Sequence, residues 1–149
     1  MFFVRYANKR DRDTLVKFNQ AMAMETEGLH LDQHRLESGV DAVLNDPEKG
    51  FYLICEHSGS IAGSLMITFE WSDWRNGNVW WIQSVYVDPD HRRKGVFTTL
   101  FAEIKKSIQS DDKIAGVRLY VDEHNQKAIE TYLSLGMRSS NYKMLELMK

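Results

Sequence analysis

One segment restricts the fold of this chain more than any other. Residues 79–87, VWWIQSVYV, read as a strand, and Pro89 fixes the backbone just beyond it. From Gly95 onward, Val96, Leu100, Phe101, Ile104 and Ile108 recur at helical spacing. A second apolar strand, IAGVRLYV at residues 114–121, follows that helix. Strand, helix and strand in this order predict two parallel strands joined by a right-handed crossover.

The remaining segments arrange themselves around this unit. FFVRYA at residues 2–7 reads as a first strand, and a helix from about Asp11 to Glu25 places Leu15, Val16, Phe18 and Met22 on its apolar side. Asp32 is the expected N-cap of a second helix carrying Leu36, Val40, Val43 and Leu44, which Pro47 stops. Residues 51–72 hold two β-rich runs joined at Ser58-Gly59-Ser60, and Asn76-Gly77 predicts a tight type I′ turn into the strand at 79–87. These form a meander of three antiparallel strands. Asn125 caps a last helix running to Leu135 with Gly136 as its stop, and YKMLELMK at 142–149 reads as a closing strand. The fold class expected is α/β (α+β mixed): a mixed, mostly antiparallel sheet of about six strands, with helices on both faces. No repeat or linker divides the chain, so one domain over residues 1–149 is expected.

The bulk properties exclude several function classes. A chain with 43% hydrophobic and 27% charged residues has the balance of a soluble globular protein. A net charge of -2 supplies no general attraction to nucleic acid. The single cysteine, Cys55, rules out an internal disulfide framework and fits a reducing compartment. The start, MFFVRYANKRDRD, lacks the apolar core of a signal peptide, and no apolar run reaches the roughly 20 residues of a membrane span. No membrane partner and a cytoplasmic location are expected.

The chemistry concentrates in two places. In DPDHRRKGVF, a helix N-terminus exposes backbone N–H groups that favour an anion, and Arg92, Arg93 and Lys94 add full positive charge beside them. The pattern matches neither the P-loop nor the dinucleotide fingerprint, which need further glycines. In DEHNQKAIETYLSLGM, Asn125 and Tyr132 lie seven residues apart on one helix face. A phenol with a pKa near 10 is protonated at neutral pH and can give its proton to a leaving thiolate.

Together these motifs resemble those of the GNAT superfamily of N-acetyltransferases. That family's acyl-CoA signature, R/Q-x-x-G-x-G/A after a V-x-V strand, has its counterpart in Val85-Tyr86-Val87 followed by Arg92-Arg93-Lys94-Gly95-Val96-Phe97. Its N-x-x-A-x-x-x-Y motif is matched by Asn125, Ala128 and Tyr132. Phe97 departs from the pattern, since the sixth position is normally small. The resemblance implies that the N–H groups of residues 92–97 hold the pyrophosphate of acetyl-CoA and that strand residues 85–87 pair with its pantetheine arm. It implies that Asn125 assists the arm, that Tyr132 is the acid beside the sulfur, and that a strand N–H near Val85 stabilises developing oxyanion charge. The implied activity is transfer of the acetyl group to a primary amine acceptor by direct attack in a ternary complex.

An ammonium must lose a proton before it attacks, so a base is expected. Glu25, Glu27 and Glu70 are the candidates, with Gln83 and Ser84 available to order a water. Four tryptophans fall within eleven residues, and Trp71, Trp74 and Trp81 are candidates for an acceptor pocket. Alternation puts Trp80 and Trp81 on opposite sheet faces, so only one of that pair can line the pocket. Glu25, Glu27 and Asp32 favour a small cationic or aromatic amine, or a peptide amine. His30 and His34 lack a third ligand, and no metal is expected. Exposed tryptophans and open sheet edges fit a homodimer. The competing reading is a non-catalytic acetyl-CoA sensor or an interaction module using the tryptophan surface.

Overall fold

A computed structural model describes residues 1–149. The elements are β1 (Phe2–Tyr6), α1 (Arg12–Glu27), α2 (Gln33–Asn45), β2 (Phe51–His57), β3 (Ser60–Ser72), β4 (Gly77–Val87), α3 (Val96–Ser110), β5 (Ile114–Arg118) and α4 (Gln126–Ser134). They fall into two compact units, Met1–Leu119 and Tyr120–Lys149. No helix is long and apolar enough to cross a membrane.

The first unit holds one five-stranded sheet in the order β1-β2-β3-β4-β5. The three pairs from β1 to β4 are antiparallel, and β4 runs parallel to β5 with α3 between them, the crossover the sequence predicts. Helices cover both faces. Tyr52 and Ile54 of β2 turn one way, into a core with Leu15 and Val16 of α1 and Val40 of α2. Leu53 and Cys55 turn the other way. Gly63 pairs with Cys55, and a Cβ on Gly63 would lie 2.7 Å from Val96 Cγ1 at the start of α3. Glycine there lets the first turn of α3 sit directly on β3.

Two cap devices fix the entry to the fold. The Asn8 side chain accepts from Arg10 N, while the buried Asp11 carboxylate accepts from Asn8 N at 2.8 Å. Arg5 adds two bonds to Asp11, at 2.8 and 2.9 Å, and one to Glu56 at 2.8 Å. Asp32 caps α2 as expected, accepting from Arg35 N at 2.8 Å.

The structure corrects two turn and strand expectations. Asn76-Gly77 is not a two-residue hairpin turn. Ser72 pairs with Gly77, so the loop is residues 73–76, with Asn76 left-handed at φ 48°. Gly77 instead permits a close approach, since its Cβ would stand 2.7 Å from Lys113 O. The paired left-handed residues are at the other hairpin, Ser58 (φ 50°) and Gly59 (φ 79°).

The second correction concerns the strand count, five rather than about six. The expected strand at residues 142–149 does not form. Strand propensity is realised only through pairing, and the unit 120–149 contains one helix and no second strand. Within that unit Asn125 Oδ1 accepts from Ala128 N at 3.2 Å. Gly136 (φ 99°) closes α4, with Gly136 N on Leu133 O and Met137 N on Tyr132 O, both 3.1 Å, a Schellman arrangement.

Candidate functional site

The turn between β4 and α3 is built to present backbone donors. Asp88 accepts from Asp90 N at 3.0 Å and shapes the turn at Pro89–His91. Arg93 (φ 61°) and Gly95 (φ 86°) are left-handed, with Lys94 between them at negative φ. Such alternation turns successive N–H groups toward one concavity, a nest for an anion. No side chain caps α3, whose N-cap is Gly95. The first turn of α3 therefore meets its ligand, if one comes, with bare N–H groups and the positive end of the helix dipole.

The three cations of this turn have separate duties. Arg92 Nε donates to Val87 O at 3.0 Å, and its terminal nitrogen donates to both oxygens of Glu25, at 2.8 and 3.2 Å. Its guanidinium also lies over the Tyr86 ring, 5.4 Å from the centroid. Lys94 Nζ donates to Asp90 O at 2.8 Å, which closes the turn on itself. Arg93 is exposed and has no partner in the chain, so it is the cation available to an incoming anion. The bulk of Phe97 is accommodated along α3, where its ring stacks on Phe101 at 5.8 Å with 27° between planes.

Above this turn the sheet opens. The β4–β5 pairing runs from Asn78↔Ile114 to Trp81↔Arg118 and goes no further, so residues 82–87 of β4 have no β5 partner. β4 also carries an extra residue opposite β3: Met66 pairs with Gln83 but Ser64 pairs with Tyr86. The bulge centres on Ser84, which is left-handed at φ 52°. Past the bulge, Val85, Tyr86 and Val87 present an unpaired strand edge that an extended ligand can join.

Beside this edge Tyr86 is buried against Phe18 of α1, with ring centroids 4.9 Å apart. Its hydroxyl donates to Glu25 Oε1 at 3.1 Å. Burial, and then the Glu25 carboxylate, push the phenol pKa up and keep it neutral. Glu25, Tyr86 and Arg92 thus join the end of α1 to β4 and to the turn. On the same sheet face Glu70 accepts from Trp81 Nε1 at 2.7 Å and from Arg118 at 3.3 Å, and Gln83 donates to Thr68. Glu27 is exposed and accepts from no group in the chain. Trp80 is core, edge-on to Phe51 at 5.2 Å, while Trp71 and Trp74 are 62% and 91% exposed.

Sequence reasoning missed the side chains of Tyr86 and Arg118. The signal for Arg118 was present: a charged residue within an apolar strand, IAGVRLY, at the level of Trp81. Asn125 and Tyr132 belong to the second unit. Burial pushes the Tyr132 phenol pKa up.

A family model described as Acetyltransferase (GNAT) family matches residues 15–137. The chain belongs to the GNAT family. A structure of a possible acetyltransferase from Clostridium difficile 630 is 46% identical, covers 100% of this GNAT chain and 98% of its own, and has a TM-score of 0.94. An uncharacterized N-acetyltransferase from Methanocaldococcus jannaschii, MJ1207, is 36% identical over 92 residues. That match takes in 60% of this chain, which spans only 39% of that relative's length. A predicted acetyltransferase from Clostridium acetobutylicum, solved with acetyl-CoA, shares the fold at 19% identity and a TM-score of 0.77, covering 99% and 96% of the two chains.

Proposed function

We propose that this GNAT chain is an N-acetyltransferase of one domain, which passes the acetyl group of acetyl-CoA to a primary amine in a ternary complex. The observation that carries this reading is the uncapped N-terminus of α3 behind two left-handed residues, Arg93 and Gly95, directly below an unpaired stretch of β4. One feature suits a pyrophosphate and the other suits an extended amide-bearing arm. The Clostridium acetobutylicum neighbour, solved with acetyl-CoA, supports the same ligand.

When bound, acetyl-CoA supplies an activated thioester; the chain's residues do the rest. The N–H groups of residues 92–97, with the Arg93 side chain, hold the diphosphate, and Phe97 turns its ring to Phe101. Backbone groups of Val85, Tyr86 and Val87 take the arm, assisted by Asn125. An N–H near Val85 holds the carbonyl oxygen as negative charge grows on it. The amine lone pair forms the new N–C bond as the C–S bond breaks, and Tyr132 Oη gives the proton that the departing sulfur takes.

The amine's own proton leaves to a carboxylate, directly or through a water ordered by Gln83 and Ser84. Among Glu25, Glu27 and Glu70, only Glu27 has oxygens that no donor of the chain engages. The acceptor is a small cationic or aromatic amine, or a peptide amine, with Trp71, Trp74 and Trp81 along its pocket. The setting proposed is the cytoplasm.

A thiol-release screen with acetyl-CoA over polyamines, amino acids, aminoglycosides, aromatic amines and peptides tests this. Thiol release with at least one class, and a melting temperature raised by acetyl-CoA, are expected. Binding without release for every amine would mark a sensor instead.

A further inference from the structure

The last turn of α1 holds two carboxylates, Glu25 and Glu27, and no cation. A helix C-terminus carries the negative end of the peptide dipole, so acidic side chains there stand against the local field. Gly28 (φ 64°) ends the helix just beyond them, with Gly28 N on Met24 O at 3.0 Å. A residue that local physics disfavours points to a task in the tertiary structure.

Glu25 has such a task. One oxygen accepts from the Tyr86 hydroxyl at 3.1 Å, and the carboxylate takes Arg92 at 2.8 and 3.2 Å. Tyr86 is the middle residue of the stretch 85–87 that β5 leaves unpaired, and Arg92 immediately precedes the left-handed Arg93. A single side chain of α1 thus reaches both segments proposed to hold acetyl-CoA. Arg92 is held from a second side, where its Nε donates to Val87 O at 3.0 Å, and its guanidinium lies over the Tyr86 ring at 5.4 Å. Stability does not account for the arrangement. Both side chains of the ion pair are 43% exposed, and exposed pairs contribute little.

We propose that Glu25 is a positioning residue of the cofactor site. It sets the Arg92 side chain and the Tyr86 ring, and through them the backbone of residues 85–87 and 92–95, before acetyl-CoA arrives. This role differs from that of a base, and it rests on the acetyl-CoA reading of the site. Backbone that is ordered in advance loses less entropy on binding, so the contribution of Glu25 falls on affinity.

Calorimetric titration of acetyl-CoA into the full chain and into E25A, R92A and E25A/R92A tests this as a cycle. E25A and R92A should each weaken binding about 3–10-fold, and the double variant should lose no more than either, because the two residues act as one unit. E25Q, whose amide oxygen still accepts from Tyr86 and Arg92, should recover part of the loss and guards against a variant that fails to fold. An E25A variant that binds as well as wild type would overturn the proposal. So would tighter binding with a steeper salt dependence, since the freed Arg92 would then have turned to the phosphates. Full additivity in the double variant would overturn it too, as would turnover lost at saturating acetyl-CoA with affinity intact, which would make Glu25 a base. Wild type that binds no acetyl-CoA would overturn the reading of the site and this role with it, an outcome distinct from losses confined to the variants.

Discussion

The guanidinium of Arg92 lies 2.8 Å from a carboxylate oxygen of Glu25, which precedes it by 67 residues and belongs to another element. Arg92, the first cation of the turn before α3, is therefore spent inside the protein. It holds the last turns of α1 against the start of the α3 turn, with the Tyr86 hydroxyl on the same carboxylate.

Glu27→Gln should lower kcat more than Glu25→Gln or Glu70→Gln, because only Glu27 has uncommitted oxygens. Loss of a general base costs about 10²–10⁴-fold in rate. Steady-state kcat of the three variants decides the matter; a Glu27 variant with unchanged kcat would remove it from this role. The half-exposed Arg92–Glu25 pair itself contributes at most about 1 kcal/mol to stability.

Arg93→Ala should weaken acetyl-CoA binding by roughly 3–10-fold and flatten its dependence on salt, the loss of one charge-assisted contact to phosphate. Calorimetric titration at two ionic strengths measures both. Folding stability should stay the same, since Arg93 has no partner in the chain.

Tyr132→Phe should reduce turnover by about 10²-fold while leaving the affinity for acetyl-CoA unchanged, the pattern of a lost proton donor. Burial raises the phenol pKa, so the acid form persists to higher pH than in an exposed tyrosine. The basic limb of the wild-type kcat profile should accordingly lie above the ordinary value of about 10 wherever Tyr132 governs it.

Gly63→Ala should destabilise the chain by about 1–3 kcal/mol through overpacking. The new Cβ would stand 2.7 Å from Val96 Cγ1 and 2.9 Å from Tyr86 O, with backbone on one side. Thermal unfolding should show a fall of several degrees, at roughly 2–4 °C per kcal/mol for a chain of this size. Acetyl-CoA affinity should fall as well, because Val96 opens the helix whose N–H groups are proposed to take the diphosphate.

Asp11→Asn should cost about 1–3 kcal/mol at neutral pH, where a buried charge-assisted network is broken. Arg5, and then the Asn8 N–H, hold the Asp11 carboxyl below the usual carboxylate range. Its contribution is thus present above the unfolded pKa of about 3.9 and is lost as pH falls through the lower folded value. Urea unfolding at pH 7 and at lower pH should show the gap between wild type and variant closing as the wild type itself takes up the proton.

The sequence by itself determined the elements whose evidence is local. Helical periodicity from Val96 to Ile108, the Asp32 and Asn125 caps, and the Gly136 stop all rest on neighbouring residues, and each stands where it was expected. It also determined the crossover, because the hand and direction of a strand–helix–strand unit follow from chain connectivity. The family signature was legible for the same reason, being short and continuous.

Tertiary structure decided everything that depends on pairing or on side-chain direction across elements. Nothing local says that Arg92 turns to Glu25, that Arg118 meets Glu70, or that Trp80 rather than Trp81 enters the core. The bulge at Ser84 and the parting of β4 from β5 are matters of register between strands, which no single strand encodes. The segment at 142–149 has the composition of a strand, but a strand exists only where another backbone meets its N–H and C=O groups, and that partner is not written in the segment.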